Sequence, residues 1–416
     1  MRRKLRSAAA ANGQRKDNRG YPRAMATEER VGARLARLRK VRGLTQVQFA
    51  AAVHYSVSLV KQVERGVVAP SAPFVAAAAS ALGVHPNTLF GTDEPLVDEP
   101  DYGQLMVLRA AVDAWDDPRP EGEPITLDLV DRRLDAINRT LERAAGTATG
   151  STAYATAAVD LAALLHHLYV MAEATGAAGA RAQAALHDAY RLTATVAGRF
   201  RQADLAAVAS ERHIALAQAM GDPIRQAISA FHRSSIHLRA GRYADGLRLL
   251  ERARRDLDGR SAVSTQLHLR SAVLAARSGD LALADEHVAE ARSCGTSSSE
   301  YRGIDPSELN VAVHWCAVPV EAADGAEALR RGSEVRLANQ SRPERLGHHH
   351  IDQARAWLLH GDRERCVAEL NTARRVAPFS TRHHPSVRET VLAIATADRR
   401  TTDSLADFAR WAGIQF

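Results

Sequence analysis

The feature that most constrains the fold of this chain is a recurrence in its second half. The stretch Ser234…Gly241…Ala253 places small residues at fixed distances from a glycine. Ala272…Gly279…Ala291 repeats those offsets, and Ala354…Gly361…Ala373 repeats them again. Weaker copies surround Ala323 and Gly198, so the positions 198, 241, 279, 323 and 361 follow one another at 43, 38, 44 and 38 residues. A period of this size is that of stacked helix pairs, each too small to bury its own apolar face. Small residues let the two helices of a pair approach, and the glycine permits the reversal between them. In the Ala323 copy, Pro319 falls late in the first helix and predicts a kink or an end there. Composition agrees: the chain is 46% hydrophobic but only 5% aromatic, which with its many alanines favours closely packed helices over sheets.

These offsets resemble the tetratricopeptide repeat. The copy with Ala354, Trp357, Gly361, Ala373 and a closing Pro378 carries the likeness best. The resemblance implies an α-solenoid of tetratricopeptide-like helix pairs over residues 151–416.

Charge is concentrated at the other end. Residues 1–27 carry eight basic groups and one acid, and residues 28–91 carry eight and three, net +7 and +5. The whole chain is +7, so residues 92–416 sum to −5. A basic end on an ordinary acidic body suits a polyanion at that end. Residues 1–27 lack apolar periodicity and read as a disordered basic arm, or as untranslated sequence if Met25 is the true start. The acidic, proline-bearing stretch 91–101 reads as a linker, and residues 92–150 as that linker with connecting helices.

Residues 28–91 form the most specific signal. Val31, Leu35 and Leu38 mark one face of a helix that Gly43 ends. Thr45 opens a second helix, the turn His54-Tyr55 leads to a third at Val57–Arg65, and Gly66 ends it. A fourth helix runs Phe74–Leu82, and Asn87–Phe90 makes a short last turn. The run Gly43-Leu44-Thr45-Gln46, the pair Phe49-Ala50, Ser56, the pair Leu59-Val60 and Val63-Glu64-Arg65-Gly66 resemble the Cro/CI-type helix-turn-helix family of phage repressors and bacterial regulators. His54-Tyr55-Ser56, with His where the family usually has glycine, resembles an actinobacterial subgroup of it. The resemblance implies a five-helix domain whose third helix enters the major groove. Thr45 would cap the second helix at a phosphate, and Gln46 matches a family glutamine that touches DNA. Val57, Ser58 and Gln62 match positions that reach base edges: Gln suits adenine and Val a thymine methyl. Lys61 and Arg65 suit phosphates or guanine, while Val60 and Val63 face inward.

Other constellations carry less. His348 and Asp352 stand four apart, but Ala354 and Trp357 place them inside a repeat helix, so no metal is expected. No triad, phosphate loop or dinucleotide fingerprint is present, so neither enzyme nor cofactor is expected. Cys294, Cys316 and Cys366 show no ligand spacing. Leu161–Ala172, broken by His166 and His167, is too short for the ~20 apolar residues of a membrane span, and a cytoplasmic, nucleoid-associated protein is expected. Arg239 and Arg277 share an offset two residues before their turn glycines. On the concave face they could grip an acidic ligand, or simply be solvated helix ends.

The chain is thus expected to be all-α, with an N-terminal five-helix helix-turn-helix domain followed by the solenoid. Its expected function is that of a sequence-specific transcriptional regulator, with a double-stranded DNA operator as partner. It would work as a homodimer, with the solenoid dimerising or sensing a peptide or small-molecule effector. The alternative is a protein-interaction scaffold with a vestigial helix-turn-helix.

Overall fold

The computed structural model describes residues 31–66, 68, 70, 72–84, 89, 102–144, 146–200, 202–257, 261–294, 301–337, 342–397 and 403–414. Among them are twenty helices and no strand. The basic arm at 1–27, the stretch 91–101 and the short turn at 87–90, Leu89 apart, lie outside the described residues. The chain divides into two compact units, residues 1–94 and 95–416.

The first unit holds α1 (Val31–Val41), α2 (Gln46–Ala52), α3 (Val57–Glu64) and α4 (Ala72–Leu82). Leu35, Leu38, Phe49, Val60, Val63, Phe74 and Leu82 are its buried core. The helices end where glycine reaches positive φ, at Gly43, Gly66 and Gly83. Between α2 and α3 it is His54 that stands at φ +57°. The left-handed region costs a residue with a Cβ about 1–2 kcal/mol, part of which glycine returns as unfolded-chain entropy. His54 is exposed, so His54→Gly is expected to stabilise this unit by about 0.5–1 kcal/mol in urea unfolding. A lowered midpoint would show that the imidazole makes a contact worth more than the strain.

The second unit begins with α5 (Tyr102–Asp113), α6 (Leu127–Ala144), α7 (Gly150–Ala172), α8 (Gly176–Arg199) and α9 (Ala203–Met220). Leu105 and Leu108 of α5 and Leu134 and Ile137 of α6 enter its largest core, so these helices are part of the body and not separate connectors. Helix α7 is, by length and composition, long enough and apolar enough to cross a membrane, contrary to the sequence expectation. The expectation began the segment at Leu161, whereas the helix starts eleven residues earlier. Leu161, Leu164, Leu165 and Leu168 are fully buried in the core, which accounts for its apolarity.

Four helix pairs follow: α10 (Pro223–Arg239) with α11 (Tyr243–Arg255), α12 (Ala262–Arg277) with α13 (Leu281–Cys294), α14 (Glu308–Glu321) with α15 (Gly325–Glu334), and α16 (Pro343–His360) with α17 (Arg363–Val376). The short α18 (Pro378–Arg382), then α19 (Pro385–Ala397) and α20 (Asp403–Ala412) close the array. Gly241, Gly279 and Gly361 take positive φ at the reversals. Gly198 does not: it lies inside α8, and that pair turns at Phe200–Gln202. Pro319 neither ends nor breaks α14, which runs on to Glu321. A proline there leaves the Trp315 carbonyl without its helical donor, and Arg331 of α15 donates to that oxygen at 3.2 Å. The turn then falls on Ala323, at φ +60°.

The first helices of successive pairs pack on one another, α10 on α12, α12 on α14 and α14 on α16, whereas the second helices make no comparable contact. The first helices therefore form the inner wall of the array. Tyr301 and Arg302 reach back across it. The Tyr301 hydroxyl donates to Asp188, and the Arg302 guanidinium bonds Asp188 at 2.7 Å and Asp135 at 2.9 Å. The segment after the last pair also returns to the first core. Phe379 of α18 sits 5.1 Å from the Tyr154 ring of α7, within the first core. Gly150 fits there because a Cβ would lie 2.3 Å from Phe379.

Candidate nucleic-acid interface

The first unit positions α3 through its caps and one buried charge cluster. Thr45 is the N-cap of α2: its hydroxyl accepts from the Gln48 amide at 3.2 Å, and the Gln48 side chain accepts from the Thr45 amide at 2.9 Å. Such a reciprocal cap is worth about 1 kcal/mol. Ser56 caps α3 in one direction only, accepting from the Leu59 amide at 3.2 Å. Both helix starts are thus fixed on either side of the turn at His54.

The cluster is centred on Glu64, the last residue of α3. Arg39 of α1 donates to it from Nε at 2.6 Å and from a terminal nitrogen at 3.1 Å, and also to the Leu44 carbonyl at 2.7 Å. The Gln46 amide of α2 donates to the same carboxylate at 2.8 Å. Burial works to raise the Glu64 carboxyl, but the bonds from Arg39 and Gln46 hold it below the usual carboxylate value. One anion therefore ties three helices together. Sequence reasoning missed Arg39 and Glu64 as positioning residues. They are 25 residues apart, and only the fold shows that Glu64 turns inward.

The expected reading residues are distributed as follows. Ser58, Lys61, Gln62 and Arg65 are exposed and fall at i, i+3, i+4 and i+7, one stripe along α3. Val57 departs from expectation: it is half-buried against the core, because the first turn of α3 leans its apolar side on the unit. Thr45 is exposed and occupied by its cap. Gln46 is half-buried, and its Nε2 is engaged by Glu64, leaving the second hydrogen of that amide for an outside acceptor. Val47, just inside α2, is 63% exposed beside it.

On the inner wall of the second unit the two expected arginines part company. Arg239 is exposed and forms no ion pair among the described residues. Arg277 is taken by Glu321 of α14, which Arg355 of α16 also holds at 2.7 Å. Arg355 in turn reaches Asp352 at 3.1 Å, and His348 stands edge-on to His384 at 4.9 Å. Arg277 is therefore part of a closed charge network and not a free ladder rung.

Residues 30–89 match a family described as a helix-turn-helix domain. Over 118 residues the chain is 30% identical to the immunity repressor protein of Bacillus phage phi105, spanning 26% of this chain and 81% of that protein. A solved structure of Bacillus thuringiensis PlcR, in complex with the peptide PapR7 and DNA, aligns over 64% of this chain and 94% of its own at 14% identity and a TM-score of 0.26. At that TM-score the likeness says nothing about fold or ligand. The matched residues 30–89 coincide with the unit built around α3, and the chain covers most of the repressor: the chain belongs to the helix-turn-helix family of DNA-binding regulators.

Proposed function

We propose that this protein is a sequence-specific transcriptional regulator that lays α3 in the major groove of its operator. The observation carrying this reading is the stripe Ser58, Lys61, Gln62 and Arg65, exposed and free of acid because Glu64, the acid of α3, is turned inward onto Arg39. Gln62 and Ser58 read base edges, Lys61 and Arg65 contact phosphate or guanine, and Thr45 and Gln46 bring the start of α2 to the backbone. One such unit buries little surface on DNA, and two half-sites supply the missing affinity. The second unit supplies the dimer contact; Val107 and Trp115, 50% and 56% exposed, are apolar side chains that a partner copy can cover. It also carries the sensing surface, a tetratricopeptide-like inner wall on which Arg239 is open to an effector. Working on an operator places the protein with the nucleoid.

Gel shifts with fragments from around the gene test the reading. A fragment bound well above non-specific background, by two copies of the chain, is expected. Gln62→Ala should relax base preference at one position by about 1–3 kcal/mol, while Lys61→Ala weakens all sequences alike and lowers the salt slope by about 1. If no fragment binds above background, the chain is a scaffold with a vestigial reader.

A further inference from the structure

Two imidazoles in the second unit bond to each other and to nothing else among the described residues. His268 of α12 and His287 of α13 face across the helix pair, Nδ1 to Nδ1 at 3.2 Å, with their ring planes tilted 54° apart. Both rings are half-buried, and α12 and α13 pack along each other and hold them there. The residues are 19 apart in the chain, so sequence spacing does not reveal the pair. Burial pushes both imidazoles down to about 4, so both are neutral at neutral pH. One ring then donates its Nδ1 hydrogen to the other, in a hydrogen bond at the long end of the usual range.

The same spacing suits a metal ion. A dication bound by imidazole nitrogen at about 2.0–2.1 Å in tetrahedral geometry holds two such nitrogens about 3.3 Å apart. An ion that replaces the shared hydrogen needs almost no movement of either helix, and each ring then carries its hydrogen on Nε2. The pair is also accessible. His287 lines a cavity of about 620 Å³ between α10, α11 and α13, together with Glu251, Arg254 and Leu283. Among the described residues no third His, Cys, Asp or Glu completes a ligand set. The other positions around the ion therefore face the cavity and belong to water or a small ligand. Nearby charge is balanced. Arg254 works against a cation, but it is paired with Glu251 and spends another nitrogen on Ser271 at 3.0 Å. Glu251 and Glu290 work the other way on His287.

We infer that His268 and His287 form a two-nitrogen site for a first-row transition-metal dication such as zinc, with open coordination positions toward the cavity. Imidazole nitrogen selects such ions over magnesium and calcium, which prefer oxygen. Structural zinc sites are closed by four protein ligands, so this one does not hold the fold together, and the metal-free chain folds. The inference goes beyond operator binding and does not depend on it.

The test is calorimetric titration of the untagged full chain, stripped by a chelator, with Zn2+ and with Mg2+ at neutral pH. Wild type should bind one equivalent of Zn2+ in the micromolar range and no Mg2+ there, and zinc should raise its melting temperature by mass action. X-ray absorption of the zinc-loaded wild type should show two imidazole nitrogens at about 2.0–2.1 Å, a readout that needs no variant. His268→Gln and His287→Gln each keep a side chain that gives and accepts a hydrogen bond, so both should fold. Each should weaken zinc binding at least tenfold and lose the melting response. His350→Gln, on α16 beside two further histidines, should bind as wild type does. The proposal is overturned if zinc is not bound, if the bound zinc has an oxygen-only shell, if either His268→Gln or His287→Gln binds as wild type does, or if His350→Gln abolishes binding. A pair kept only for its hydrogen bond gives the first of these results.

Discussion

The second unit should unfold cooperatively in mild acid, with a midpoint above about pH 5. Its interior holds histidines that burial keeps neutral: His213 pushed down to about 2, His232 to about 3, and His268, His287, His314, His349 and His384 to about 4. In the unfolded chain each takes a proton near pH 6.5. Stability is therefore full above that value and is lost as pH falls toward the folded values, where the loss levels off. Between about pH 6.5 and 5.5 each such group removes about 1 kcal/mol, so the seven together remove on the order of 7 kcal/mol, comparable to the whole stability of a domain. Asp188 adds a later stage. Burial works to raise its carboxyl, but His187, Arg302 and Tyr301 hold it at about 2. Its contribution is present above the unfolded value near 3.9 and fades as pH falls toward 2. All four tryptophans, Trp115, Trp315, Trp357 and Trp411, lie in this unit, so their fluorescence reports on it alone. The expected record is a steep transition with uptake of several protons; fluorescence unchanged at pH 4.5 would sink the account.

The other large effect lies at Gly32. A Cβ there would stand 2.0 Å from the Val63 carbonyl oxygen and 3.0 Å from that of Glu64. Backbone meets backbone at this contact, so no side chain can swing aside. Overpacking of a core costs about 1–3 kcal/mol, and a clash between two main chains belongs at or above the top of that range. Gly32→Ala is expected to destabilise the first unit by about 3 kcal/mol and to push α1 off the end of α3. The same shift pulls Arg39 away from Glu64, frees Gln46 and tilts the stripe from Ser58 to Arg65. Operator affinity should drop more than tenfold, while the tryptophan-monitored transition of the second unit stays where it was. Unchanged affinity would mean that α1 and α3 slide without disturbing the reader.

Much of this architecture was legible because it is local. Leu35 and Leu38 repeat at helical spacing, Thr45 announces a helix start, and Gly241, Gly279 and Gly361 mark the reversals. What was hidden depends on partners far along the chain. Arg302 meets Asp135 across 167 residues, and Arg331 rescues the carbonyl that Pro319 abandons. Without that second contact the proline read as a break. Gly198 misled for a related reason: a small residue near a helix end resembles a turn until the helix is seen to run past it. Val57 sits at the edge of the apolar face of α3, where sequence spacing alone does not decide between core and solvent.

The meeting of Phe379 with Tyr154 changes how this array stores its stability. In an open stack each pair leans only on its neighbours, so an end can fray alone and the total is a sum of adjacent terms. Here α18, just after the last pair, is a wall of the first core, with Arg199 laid 5.4 Å from the Tyr154 ring and 5.6 Å from the Phe379 ring. The energy is that of a hoop and not of a ladder. Opening any one joint spends the closing contact as well, so the first core and the pair before α18 stand or fall together, and an event at one joint is felt at the far end without travelling through every helix between.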